Sequence, residues 1–91
     1  VSWDVQIADP VWRDLDKLPR KVAQAVVEFV TYTLPANPER MSKELVGEFA
    51  GLRSARRGGY RVLFRLEQQT KTLRVLRVRH REFAYKPPAP R

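Results

Sequence analysis

The chain has 91 residues, 43% of them hydrophobic and 31% charged, with 18 Lys plus Arg against 10 Asp plus Glu and a formal charge of +8. A chain of this length has room for one hydrophobic core, and its periodic apolar residues argue against wholesale disorder. Lacking cysteine, it can build neither a disulfide framework nor a thiolate nucleophile, and His80, its single histidine, cannot assemble an ordinary zinc site. No metal or cofactor is therefore expected. No apolar run approaches the roughly 18 residues of a spanning helix, and the opening VSWDVQ has neither the basic nor the apolar region of a secretory signal. No membrane association is expected, and a cytoplasmic location is.

Trp3, Val5 and Ile7 alternate with Ser2, Asp4 and Gln6, the period of a half-buried strand over 2–8. Asp9 as N-cap and Pro10 as first helical residue open a short helix over 10–18, with Val11, Leu15 and Leu18 at helical spacing. After Pro19, the residues Val22, Ala23, Val26, Val27, Phe29, Val30 and Leu34 form a broad apolar stripe, so a second helix is expected to cover a sheet and to end before Pro35. Residues 35–48, punctuated by Pro35, Asn37, Pro38 and Gly47, read as a connection.

From Leu52 the period changes to two. A segment over 52–57 leads through Gly58 and Gly59, suited to a tight turn with positive φ, into a strand over 60–66. In that strand Tyr60, Val62, Phe64 and Leu66 share one face, where Tyr60 is a packing residue, and Arg61, Leu63 and Arg65 share the other. A polar turn over 67–71 precedes a last strand over 72–79, whose Leu73 and Val75 are expected on one face and Leu76 and Val78 on the other, so that its middle is buried on both sides. The expected fold class is α+β: an N-terminal strand and two helices packed on one face of a mostly antiparallel four-stranded sheet. Residues 1–86 form the domain and 87–91 a Pro-rich tail.

The charge is uneven. Residues 1–45 hold six basic and seven acidic side chains, net −1, whereas 46–91 hold twelve basic and three acidic, net +9. Ten of those twelve cations are arginines, whose planar fork matches phosphate oxygens and stacks on bases, so a polyanion such as RNA or DNA is the natural partner.

Lys43-Glu44-Leu45, the run Gly51-Leu52-Arg53-Ser54-Ala55-Arg56-Arg57-Gly58-Gly59-Tyr60-Arg61-Val62-Leu63-Phe64 and the closing His80-Arg81-Glu82-Phe83-Ala84-Tyr85 together resemble the hallmarks of the RelE/ParE toxin superfamily, in its RelE-like branch. The resemblance implies the toxin of a type II toxin–antitoxin pair. Such a toxin enters the ribosomal A site and cleaves messenger RNA without a metal, driving a 2′-hydroxyl onto its own 3′ phosphate. It also implies a cognate RelB-like antitoxin, expected to present an acidic or amphipathic helix and to be the route by which operator DNA is bound.

Carried over position by position, the resemblance gives Arg61 the scissile phosphate, Arg81 charge stabilisation or protonation of the leaving group, and Tyr85 the stacking or orientation of substrate. Lys43, Arg53, Arg56, Arg57, Arg79 and His80 are candidate RNA contacts. Two family lysine positions are occupied by Leu52 and Ser54, and arginine, always protonated, is a poor general base. Trp3 and Trp12, in the acidic part, are read as core or antitoxin contacts rather than base-stacking platforms. The alternatives are a ParE-like inhibitor of DNA gyrase and a non-catalytic module that binds RNA or the ribosome through phosphate contacts.

Overall fold

A computed structural model describes residues 2–80. Its elements in chain order are β1 (Asp4–Ile7), α1 (Asp9–Asp16), α2 (Arg20–Glu28), β2 (Ser42–Glu44), β3 (Arg53–Arg57), β4 (Tyr60–Glu67) and β5 (Thr72–His80). The strands form one sheet in the order β1-β5-β4-β3-β2, with β1 parallel to β5 and every other pair antiparallel. The α+β class and the two helices agree with the sequence. The strand count does not: the sheet has five strands, not four.

The additional strand is β2, cut from the stretch read as a connection. Its three residues, Ser-Lys-Glu, are all polar and too few to display a period of two, so it has no apolar signature. Side-chain bonds hold it in place. Arg53 Nε donates to Ser42 Oγ at 2.8 Å and Nη2 to the Glu39 carbonyl at 3.2 Å, while the Ser42 hydroxyl donates to the Pro38 carbonyl at 2.6 Å.

The helices shift slightly from their expected limits. Ala8, not Asp9, is the N-cap of α1, and it makes no side-chain cap bond. Asp9 instead lies in the first turn, where its charge meets the positive end of the helix. Beyond α2 the helical path continues through a widened turn over Phe29–Thr33 and a tight one over Leu34–Ala36 that includes Pro35. Proline cannot donate to the carbonyl four residues back and would crowd it, so a regular helix cannot pass through.

Val11 and Leu15 of α1, Val26 of α2 and the following Val30 and Leu34 pack against Ala55, Val62, Phe64, Leu73, Val75 and Val78 of the sheet. Tyr60 packs at the margin of this core, as does Trp3, whose ring carries Lys71 Nζ 4.9 Å from its centroid; Trp12 is exposed. Gly58, at φ +61°, supplies the positive φ of the β3–β4 turn.

The last strand departs from simple alternation. Phe64 pairs with Val75 and Leu63 with Arg77, leaving Leu76 as the extra residue of a β-bulge. Val78 therefore returns to the face of Val75 and is buried against the same core, and the expected second buried face of β5 is not formed.

Phe64 is 0% exposed at the centre of this core. Phe64→Ala is expected to destabilise the fold by about 3–5 kcal/mol, read as a lower urea midpoint at unchanged m-value.

Candidate functional site

Residues directly opposite one another on neighbouring strands share a face of the sheet. Arg61 on β4 lies opposite Arg56 on β3 and Arg79 on β5, so three arginines form a row across the face turned away from the helices. The adjoining row contains Lys43, Ser54 and Leu63, of which Ser54 and Leu63 are buried. Like charges set directly opposite are unfavourable in a sheet. Their accumulation gives this face a strongly positive character.

A cleft of about 440 Å³ opens on this face, lined by Arg40, Met41, Ser42, Lys43, Ser54, Arg56 and Arg61. Among the described residues it brings together four cations and no carboxylate. Arg61 Nη1 is buried there and has no hydrogen-bond partner among the described residues. A buried donor on a permanent cation is costly to leave unmatched.

Of the residues singled out in the sequence, Lys43, Arg56 and Arg61 line this cleft; Arg79 is in register with Arg61 but lines a separate pocket with Asp14, Lys17, Tyr60, Arg77 and His80. The others lie elsewhere. Arg53 braces β2 through the bonds already described and has Nη1 3.9 Å from Glu44 Oε1. Arg57, opposite Tyr60, lines a separate groove with Lys21, Val22 and Val26 of α2. His80 also pairs with Tyr60, its ring edge-on to the tyrosine at 5.4 Å between centroids and 89° between planes. Arg81, Tyr85 and the tail 87–91 lie outside the described residues.

Of the two positions at which the resemblance implies lysine, Ser54 lines the cleft and half-buried Leu52 does not. Arg40 and Met41 were missed because they precede the short polar strand that brings them to the cleft wall. Among the described residues, no group of three His, Asp or Glu side chains stands where it could hold a metal.

A second polar cluster was also missed, and it lies at the β5 bulge. Asp14 of α1, 8% exposed, accepts from Arg77 Nε at 2.9 Å and Nη2 at 2.8 Å, and its Oδ2 also accepts from the Val78 backbone N–H at 2.9 Å. Burial by itself would raise this carboxyl's pKa. The bonds from Arg77 and Val78, with the charges of Arg77 and Arg79, outweigh it and hold the group below its ordinary value. Arg77 is pushed further up in turn, chiefly by its bond to Asp14.

A profile of the ParE toxin of the type II toxin–antitoxin system parDE matches residues 5–85. Toxin RelG of Mycobacterium tuberculosis is 43% identical over 86 residues, covering 94% of this chain and 99% of the relative. Toxin RelE of the same organism is 38% identical over 84 residues, covering 92% and 87%. The crystal structure of the RelBE2 toxin–antitoxin complex of M. tuberculosis contains a chain 44% identical to this one, at a TM-score of 0.85 and covering 89% of this chain and all of that one. Free E. coli RelE, in a mutant form, shares the fold at a TM-score of 0.70 and 16% identity, over 92% of this chain and 88% of that one.

A carboxyl whose folded pKa is depressed contributes stability that is complete above its unfolded pKa, near ~4, and is lost as pH falls through the lower folded value. Asp14→Asn is therefore expected to cost about 1–3 kcal/mol at neutral pH, less than a fully buried pair because Arg77 keeps solvent access. The gap from the parent should shrink as pH falls below ~4. Urea titrations across that range read both effects.

Proposed function

Since the chain belongs to the ParE toxin family of type II toxin–antitoxin systems and is a RelE-like toxin within it, we propose that it is a ribosome-dependent messenger endoribonuclease that arrests translation in the cytoplasm. The observation that carries this reading is a cleft that brings Arg40, Lys43, Arg56 and Arg61 together with no carboxylate among the described residues, where Arg61 Nη1 also has no hydrogen-bond partner among them.

In the proposed reaction, the 2′-oxygen of a nucleotide in the A site attacks the adjoining phosphorus, and the bond to the 5′-oxygen of the next nucleotide breaks. The products are a 2′,3′-cyclic phosphate and a 5′-hydroxyl, with one proton leaving the 2′-hydroxyl and one reaching the leaving oxygen. Arg61 holds the non-bridging oxygens, whose charge grows at the phosphorane, with Arg56 beside it. Lys43 and Arg79 bind flanking phosphates. Arg81 is assigned the leaving group and Tyr85 the orientation of the attacking nucleotide. Arg53, Arg57 and His80 contribute at most through the scaffold or peripheral phosphates.

The partner is a RelB-like antitoxin, as in the RelBE2 complex. An acidic or amphipathic helix would complement the basic face. Operator DNA would be reached through that antitoxin. Gyrase inhibition, the activity implied by the ParE name, is the rival; the RelG and RelE relatives at 43% and 38% identity favour messenger cleavage.

Primer extension on a defined messenger in a reconstituted translation reaction, with and without ribosomes, tests the reading. Cuts confined to the A-site codon and present only with ribosomes are expected, with Arg61→Ala slowing them about 10²–10³-fold and Arg81→Ala abolishing them. Intact messenger at saturating protein would overturn it, and a supercoiling assay with gyrase would follow. Lys43→Ala and Arg56→Ala should each weaken ribosome binding and lower its salt slope by about one, measured by sedimentation at graded ionic strength.

A further inference from the structure

Arg79 reaches the side of Arg61 only because β5 contains an extra residue. With strict alternation from Leu73 and Val75, position 79 would share their face and point to the helices. The bulge at Leu76 reverses this, so that Val78 takes the core position and Arg79 lies opposite Arg61. Whatever holds the bulge therefore sets the geometry of the cationic row.

β1 stops at the same level. Ile7 pairs with Val75, the Ala8 N–H donates to the Val75 carbonyl at 2.9 Å, and the chain then turns into α1. Past Val75, β5 has no strand neighbour on that side among the described residues, and its N–H groups there need another acceptor. Asp14 provides one. Its carboxylate takes the Val78 N–H and both donors of the Arg77 fork, all within two residues of Leu76. An asparagine could not do the same, because its single acceptor oxygen cannot serve three donors and its amide would face the guanidinium.

We propose that Asp14 is a positioning residue: its carboxylate fixes the Leu76 bulge and thereby holds Arg79 in register with Arg61, at the β5 edge of the cationic face. The catalytic consequence rests on the proposed messenger cleavage, whereas the positional one rests on the sheet register alone.

Two measurements on the full chain separate these. In single-turnover cleavage on programmed ribosomes, Asp14→Asn should lower the rate at saturation about 10–100-fold, the scale of a misplacement of about 1 Å, with half-saturation changed by less than about threefold. A role confined to stability would instead lower the unfolding midpoint and leave the rate per folded molecule unchanged, which overturns the proposal. Should Asp14→Asn fail to fold, Arg77→Leu removes two of the three bonds and should slow cleavage about 3–10-fold, on the same argument from misplacement; an unchanged rate sinks the idea.

The second measurement needs no cleavage. Titration with inorganic phosphate should move the NMR signals of the Arg61 and Arg79 Nε–H groups with a common midpoint in the parent and with separate midpoints in Asp14→Asn. A parent that cuts no messenger but behaves this way defeats the functional reading and keeps the positional one. A common midpoint in the variant, or no response in the parent, overturns the positioning role whatever the activity.

Discussion

Three arginines at directly opposed positions of three neighbouring strands repel one another, and the rest of the fold has to hold them there. Each like-charge pair costs a few tenths of a kcal/mol up to about 1 kcal/mol. The opposite face of the same strands offsets this. Ala55, Val62 and Val78 adjoin Arg56, Arg61 and Arg79 in sequence, lie opposite one another across the same three strands and are 1%, 0% and 4% exposed. Burying a valine side chain stabilises by about 1.5–3 kcal/mol, so the apolar row outweighs the cationic one. A charged face of this kind is possible only on a sheet whose other face is covered, and α1 and α2 provide that cover.

The uneven charge along the chain follows from this division. The acidic part of the sequence supplies the helical layer and the two edge strands β1 and β2, whereas the basic part supplies β3, β4 and β5. Anions are thereby kept off the cleft: none of the carboxylates of 1–45 lines it. Asp14 is the acid that crosses from the helical layer to β5, and it does so as the buried member of an ion pair whose three bonds are all accounted for.

What could be read from the sequence was local. The alternation in β4 assigned Tyr60, Val62 and Phe64 to one face and Arg61 to the other, and Gly58 marked the turn, because these signals repeat within a few residues. The motifs carried the family. Three features stayed hidden for different physical reasons. β2 is three polar residues held by Arg53, whose bonding partner Ser42 lies eleven positions away. The β5 bulge is invisible because Leu73, Val75, Leu76 and Val78 are equally compatible with a strand buried on both faces, and only the pairing with β4 decides. Asp14 and Arg77 are separated by 63 positions. Register likewise divided the candidate RNA contacts: the same cationic segment sends Arg56 to the cleft and Arg53 and Arg57 away from it, as strand alternation requires.

The cleft's composition also limits the chemistry its described residues can perform. Arg40, Arg56 and Arg61 are protonated at any physiological pH and can neutralise a phosphorane, but they cannot accept a proton. Ser54 adds a hydroxyl and no charge. The strand register places His80 opposite Tyr60, on the side of the sheet from which Arg61 points away. A reaction in this cleft would therefore draw its acceleration from orientation and fixed positive charge. Any proton transfer would fall to Lys43, to the segment beyond His80, or to groups supplied by the ribosome–messenger complex. Under the proposed messenger cleavage, the ribosome–messenger complex would complete a site whose described residues supply orientation and positive charge.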